Sequence, residues 1–393
     1  MSRGWRALRD GLRFRGVDAR ARRVVVYAED EAAGPHLAGV VAALVARGCP
    51  PTYLTSSTTD PMLERSPPGV RAFFVGAGLI RTWLFMTLRA DVLLTSTPDL
   101  ETFQLKRSRV HPVHYVYLFH SMVSTHMIYR PAAFDAFDTI LCVGPHHVRE
   151  IRAREACADL PAKRLVAHGY AHLETLSALA AAARATAPIA HGRNVLIAPS
   201  WGPDGLFETC GAELVEPLLA AGWSVTLRPH PMTRRRRPEV LRALEQRFAS
   251  DPRVAIESDV RTTQSLLTAT ALISDWSGVA LEYAFATERP VLFVDVPRKV
   301  NNPDYRQLAC EPVEVALRSR IGAIVGHAEL AQVPQRLAEL VARGPALRAS
   351  IRQARDETVF RVRGSAGIAA EAILAVVEGR PGIATHCTPW STT

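Results

Sequence analysis

Three short motifs in the second half of the chain carry residue types suited to a phosphorylated ligand. They are Pro199-Ser200-Trp201-Gly202, Arg228-Pro229-His230-Pro231 and Ser274-Asp275-Trp276-Ser277-Gly278. Ser274 and Ser277 offer hydroxyls just ahead of an expected helix over residues 278–287, whose first free N–H groups and dipole favour an anion. Gly278 lets the backbone approach the ligand. Arg228 and His230 add a fixed cation and a titratable donor. Each motif also has a plainer reading: Ser274 or Asp275 caps the helix, and Arg228 pairs with a surface carboxylate.

Their placement favours a ligand. Each motif follows a short apolar, β-branched run, at residues 194–198, 223–227 and 270–273. Such runs, separated by helical lengths, are expected to be buried parallel strands. Loops at the carboxyl ends of parallel strands gather along one edge of an open sheet, where such sheets bind ligands. The first half repeats the pattern. Strands are expected at 24–27, 51–54, 70–75, 90–95, 113–119, 139–143 and 164–167, with helical stretches between several of them. The apolar segment 83–88 is too short to be read as more than core. His120 follows the fifth of these strands, again at a carboxyl edge, and an imidazole titrating near neutrality can take a proton there. The alternative is a core histidine bonded to backbone.

The ordered set Ala198-Pro199-Ser200-Trp201, Leu227-Arg228-Pro229-His230-Pro231, Ser274-Asp275-Trp276-Ser277-Gly278 and Arg289-Pro290-Val291-Leu292-Phe293 resembles the donor-binding half of the CDP-glycerol glycerophosphotransferase family. The likeness continues more weakly upstream through His120 and Gly169-Tyr170. The resemblance implies an α/β GT-B-like fold, two Rossmann-like domains facing across a cleft. It implies that Ser200, Trp201, Gly202, Ser274, Asp275, Ser277 and Gly278 bind the donor, and that Arg228 and His230 neutralise charge on the leaving nucleotide. His120 would be the base that activates an acceptor hydroxyl, and Glu282 would hold the donor's ribose unless it is an ordinary helix surface residue. Three positions, Ser121, Trp276 and Gly278, depart from the family's patterns. Ser121 stands where the family has the glycine of a His-Gly pair, and Gly278 stands where the motif commonly reads Ser-Asp-Tyr-Ser-Ser.

Composition sets the frame. A chain of 393 residues is long for one core, so two α/β domains are expected, at 24–190 and 191–379, with a last helix over 366–378 that crosses back onto the first. A basic arm at 1–23 and a flexible tail at 380–393 flank them. The arm alternates Arg3, Arg6, Arg9 and Arg13 with Trp5, Leu8 and Leu12; it reads as an amphipathic helix on anionic lipid or as a solvated arm. Net charge of +9 favours anionic partners such as nucleotide phosphates or an acidic membrane surface. The run Arg234–Arg237 stands beside no stacking platform or nucleic-acid module, so nucleic acid is not expected as a partner. The six cysteines form no paired knuckle, and the 13 histidines form no acidic H-x-x-x-H helix, so neither a metal site nor another cofactor is expected. No apolar run reaches membrane-spanning length, and a cytoplasmic protein, soluble or peripheral on the inner face of the plasma membrane, is expected. The leading function is transfer of a glycerophosphate or similar unit from a CDP-linked donor to a hydroxyl-bearing, lipid-linked or free acceptor in cell-surface polymer synthesis. A nucleotide-sugar glycosyltransferase, a nucleotide-sugar 2-epimerase and a polyanion- or membrane-binding scaffold stand as alternatives.

Overall fold

The computed structural model describes residues 2–186, 192–259 and 262–380. The junction expected between 190 and 191, and the tail beyond residue 380, lie outside the described residues.

Two parallel sheets organise the chain. The first holds β1 (Val24–Ala28), β2 (Thr52–Thr55), β3 (Arg71–Phe74), β4 (Val92–Thr95), β5 (His114–Leu118), β6 (Thr139–Cys142) and β7 (Arg164–Ala167), in the order β3-β2-β1-β4-β5-β6-β7. The second holds β8 (Asn194–Ile197), β9 (Ser224–Leu227), β10 (Val254–Ile256), β11 (Ala271–Ser274), β12 (Val291–Asp295) and β13 (Gly322–Gly326), in the order β10-β9-β8-β11-β12-β13. The central strands are buried along their whole length, which is why they read as unbroken apolar runs rather than alternating ones. Register is continuous across each sheet: Val26 pairs with both Tyr53 and Leu94, and Ile273 with Ile197 and Leu292. In both sheets the order reverses beside the first strand, between β1 and β4 and between β8 and β11. Those reversals are the topological switch points at which open sheets leave a crevice.

Helices cover both faces. The helix Gly34–Ala46 buries Leu37, Val40, Val41 and Leu44 against β1 and β4, and the helix Ser365–Val377 joins the same cluster through Ala369, Ala370 and Ile373. Each such leucine or isoleucine contributes about 1.5–3 kcal/mol by leaving water. The chain's last described helix therefore packs on the first sheet, with Gly39 so close that a β-carbon there would lie 3.3 Å from Ala366 Cβ. At the crossing, Phe360 N–H donates to Val143 O, and a β-carbon on Gly144 would lie 1.6 Å from Thr358 O.

The basic start of the chain forms a helix, Arg3–Arg15, that buries Ala7, Asp10, Gly11 and Phe14. It packs beside the helix Leu79–Met86, with Gly11 against Leu84. Segment 83–88, read as core alone, thus belongs mostly to a helix whose Trp83 remains 38% exposed. Strands β10 and β13 and this helix are additions to what the sequence predicts. Among the described residues no helix is long and apolar enough to cross a membrane, and no group of His, Cys, Asp or Glu is arranged to hold a metal ion.

Candidate functional site

Between the carboxyl edges of the two sheets lies a cleft of about 370 Å³. The first domain lines it with His120, Ser121, Val123, Ile128 and Tyr129; the second with Ser200, Trp201, His230, Trp276, Ser277, Gly278, Glu282 and Lys299, among others. Seven of the residues singled out from sequence therefore meet in one place: His120, Ser200, Trp201, His230, Ser277, Gly278 and Glu282.

His120 sits two residues past β5. Its Nδ1 lies 3.0 Å from the Ser96 carbonyl oxygen, at the end of the neighbouring β4. A carbonyl only accepts, so Nδ1 carries the proton and Nε2 holds a lone pair. Burial lowers the imidazole's pKa, against the opposing pull of the Ser96 carbonyl, Asp30 and Glu282, so the ring is neutral at neutral pH. Neutral and at a strand end, the ring leaves its Nε2 lone pair able to accept a hydrogen bond.

His230 has the opposite tautomer. It is the N-cap of the helix Pro231–Arg236, and its Nδ1 accepts from Met232 N–H at 3.1 Å, which leaves the proton on Nε2. Burial, helped by the nearby Lys299 ammonium, depresses its pKa to about 4. His230 is thus the titratable donor expected there, held in its neutral form.

Four other expected residues do not line the cleft. Arg228 Nη1 donates to Glu257 Oε2 at 2.6 Å and to the Thr262 carbonyl at 2.9 Å, so its guanidinium is held at the β9–β10 side in the plainer role of an ion-pair partner. Ser274 Oγ donates to Ala198 O at 2.7 Å and ties β11 to β8. The buried Asp275 carboxylate accepts from Ser200 N–H at 2.6 Å and Leu206 N–H at 3.3 Å, bracing the turn that carries Ser200 and Trp201. Gly202 occupies the same turn at a φ of 146°, a conformation that disfavours side chains. All three second-sheet motifs contribute to the site, but through one or two side chains each, with the rest shaping the loops.

The cation that faces the cleft is Lys299, which sequence inspection passed over. It lies in the loop after β12, four residues past Asp295, at a strand end like the others. Its ammonium stands 4.5 Å from the centre of the Trp201 ring, with the Arg236 guanidinium 5.2 Å from that ring. Burial lowers the Lys299 pKa to about 8, with Asp275 and Glu208 opposing the shift.

Glu282, on the helix Val279–Thr287, closes the domain contact. Tyr170 Oη lies 2.8 Å from Glu282 Oε1 and 2.8 Å from the His120 carbonyl oxygen, linking the carboxylate of one domain to the His120 loop of the other. His172 Nε2 stands 3.8 Å from the second Glu282 oxygen. Elsewhere the domains are pinned by buried polar contacts: Ser124 N–H and Oγ donate to the Glu314 carboxylate at 2.9 and 2.7 Å, and Asn302 donates to the His126 carbonyl.

Two facing parallel sheets with the site between their carboxyl edges, and a last helix returned to the first sheet, define the architecture. The fold is GT-B. Solved structures agree. The wall teichoic acid polymerase TagF, in a variant soaked with CDPG, superposes with a TM-score of 0.58 at 13% identity, over 96% of this chain and 94% of that one. A putative UDP-N-acetylglucosamine 2-epimerase from Listeria monocytogenes gives 0.58 at 13% identity over 92% and 98%. The UDP-GlcNAc 2-epimerase from Neisseria meningitidis, bound to UDP-GlcNAc, gives 0.54 at 14% over 91% and 99%. No family model matches the sequence, and no curated protein matches it. At these identities the likeness establishes the GT-B scaffold. Chemistry has to be argued from the cleft.

Within that scaffold the cleft pairs unlike walls. The first-domain wall offers a lone-pair nitrogen; the second offers Ser277 Oγ at a helix N-terminus, the His230 Nε2–H donor and an ammonium. Among the described residues Ser121 Oγ and Ser277 Oγ have no hydrogen-bond partner within the chain, so both are free for a ligand.

Proposed function

We propose that this GT-B protein is a transferase that moves a glycerophosphate or similar polyol-phosphate unit from a CDP-linked donor to a hydroxyl acceptor. The observation that carries the reading is the opposition of His120 Nε2 to the Ser277, His230 and Lys299 donors across one cleft. The diphosphate lies against the helix Val279–Thr287, with Ser277 Oγ and the helix dipole as ligands. His120 Nε2 takes the proton of the acceptor hydroxyl as its oxygen bonds the distal phosphorus. The bond from that phosphorus to the bridging oxygen breaks and CMP leaves. His230 Nε2–H and the Lys299 ammonium stabilise the charge arriving on the departing phosphate, in a site already organised before reaction. Trp201 and Ser200 shape the donor side, and Glu282 is placed to reach its ribose once Tyr170 is shared.

The acceptor is drawn from the first domain. A second and larger cleft, about 790 Å³, follows the carboxyl ends of β1, β2 and β3; Asp30, Ser57, Thr58, Arg3 and Leu79 are among its lining residues. Beside it, Leu79 is 90% exposed, Trp5 69% and Leu12 56%, flanked by Arg6, Arg9 and Arg13 on the first helix. An apolar surface bordered by arginines suits peripheral binding to an anionic bilayer, which would present a lipid-linked acceptor on the inner face of the plasma membrane.

The test is product analysis. Incubation with CDP-glycerol and a hydroxyl acceptor should release CMP, and His120→Asn should remove that release. Consumption of UDP-GlcNAc with appearance of an epimerised free sugar would instead support the 2-epimerase reading, which the UDP-GlcNAc 2-epimerase superpositions keep in play. Release of a nucleoside diphosphate with glycoside formation would support sugar transfer.

A further inference from the structure

Ser121 and Gly278 face each other across the cleft, one from each domain. A β-carbon built at residue 278 would lie 2.6 Å from Ser121 Oγ and 3.4 Å from Val123 Cγ1. Gly278 has φ −60° and ψ −25°, which any residue adopts, so its conformation does not call for glycine. Space does. What fills that space is a hydroxyl from the other domain.

The hydroxyl stands at a telling place. Gly278 is the N-cap of the helix Val279–Thr287, and the helix has no side-chain cap. A serine at the N-cap would ordinarily supply a hydroxyl there. Here Ser121 brings one to the same helix end from the opposite wall, and that hydroxyl has no partner within the chain.

We propose that Ser121 Oγ is a ligand of the donor's phosphate supplied by the acceptor-side domain, and that Ser121 and Gly278 act as a matched pair sharing one hydroxyl position. This rests on the reading that the cleft holds a nucleotide-linked donor. The phosphate site is then complete only when the domains face each other as they do here. Donor affinity is thereby coupled to closure of the cleft, and an open form holds the donor less tightly.

Calorimetric titration with CDP-glycerol of the full chain tests this in five forms: wild type, Ser121→Ala, Ser121→Gly, Gly278→Ser and the Ser121→Gly/Gly278→Ser double variant. Ser121→Ala removes the hydroxyl alone and should weaken binding about tenfold at unchanged Tm, the size expected for one hydrogen bond to a charged group. Ser121→Gly should do the same. Gly278→Ser should weaken binding at least as much, through overlap with Ser121. The double variant should return to within about threefold of wild type, because the hydroxyl is restored from the other side without the clash. Wild-type affinity in Ser121→Ala, or single effects that simply multiply in the double variant, would overturn the proposal while leaving the donor reading intact. Absence of binding by the wild type itself would overturn both.

Discussion

Lys299 gives the cleft a titration that can be followed from outside. Its ammonium is the cation that lines the cleft among the described residues, and burial brings its pKa to about 8 in the free protein. The protonated fraction then falls from roughly nine-tenths at pH 7 to roughly one-tenth at pH 9, two units spanning a group centred near 8. A bound diphosphate holds the proton in place, so binding to the deprotonated form requires proton uptake. Affinity for a diphosphate diester should therefore fall about tenfold between pH 7 and pH 9, and the complex should take up close to one proton at the upper end. The sign for folding is opposite. A lysine whose folded pKa lies below its unfolded value leaves the unfolded chain with more protons between pH 8 and the ordinary lysine range. This group alone then makes the unliganded protein more stable as pH rises through that window. CDP-glycerol is a suitable ligand because its phosphodiester groups do not titrate there, and His230, with a pKa of about 4, stays neutral throughout. Calorimetry at pH 7, 8 and 9 in buffers of different ionisation enthalpy reads both affinity and proton uptake. Lys299→Met should bind weakly and lose most of the slope. A flat wild-type profile, or an equal slope in Lys299→Met, would refute the assignment of the cation.

Four other outcomes follow from the geometry. His120→Gln should lower transfer by about 10²–10⁴-fold, the usual worth of a positioned general base, with CDP-glycerol affinity within about twofold, as single-turnover and binding assays would read. Asp275→Ala leaves Ser200 N–H and Leu206 N–H without their carboxylate and should cost about 1–3 kcal/mol in denaturant unfolding for each buried donor left unpaired. Gly144→Ala places a methyl where Thr358 O already stands and should prevent the last helix from docking; soluble expression and Tm would both fall, whereas Gly4→Ala, with open space around it, should be silent. Vesicles containing anionic lipid should sediment the wild type, and Trp5→Ser/Leu79→Ser should sediment less at equal salt; co-sedimentation unchanged by that double substitution would move the contact elsewhere.

Much of the scaffold was legible because parallel strands buried on both faces leave an unmistakable apolar run. Strands β1, β2, β4, β5, β6, β8, β11 and β12 announced themselves this way, and β3, β7 and β9, partly exposed, were legible from their apolar residues alone. Strand β10 did not: at three residues, on the sheet edge and half exposed, it has no such run. Strand β13 opens on Gly322, whose missing side chain lets the backbone of β12 approach, since a β-carbon there would lie 1.6 Å from Val291 O. Propensity argues against a strand at glycine, and tertiary packing overrides it.

The site was legible at the level of loops rather than atoms. Strand-end placement puts His230, Ser277 and Gly278 at the carboxyl edge of the second sheet and His120 at that of the first, and the two edges line one cleft. It could not say that Glu257, 29 residues away, would engage the Arg228 guanidinium, or that the cap made by His230 on its own helix would fix its tautomer. Lys299 sits in a loop with no strong motif and gains its significance from Trp201 and from burial, both properties of the folded state. Ser121 and Gly278 looked like two unrelated departures until the fold set them face to face.

The most direct test of the central claim is nucleotide binding at the cleft, measured without any acceptor. Thermal shift and calorimetry against CDP-glycerol, CMP, CDP, UDP and UDP-GlcNAc, on the wild type and on Ser277→Ala, read whether the cleft is a donor site and for which base. The cytidine set is expected to raise Tm and bind in the micromolar to millimolar range, with Ser277→Ala weakened and its unliganded Tm unchanged. Stabilisation by uridine ligands alone would contradict the donor assignment, and no response to any nucleotide would contradict the transferase account as a whole.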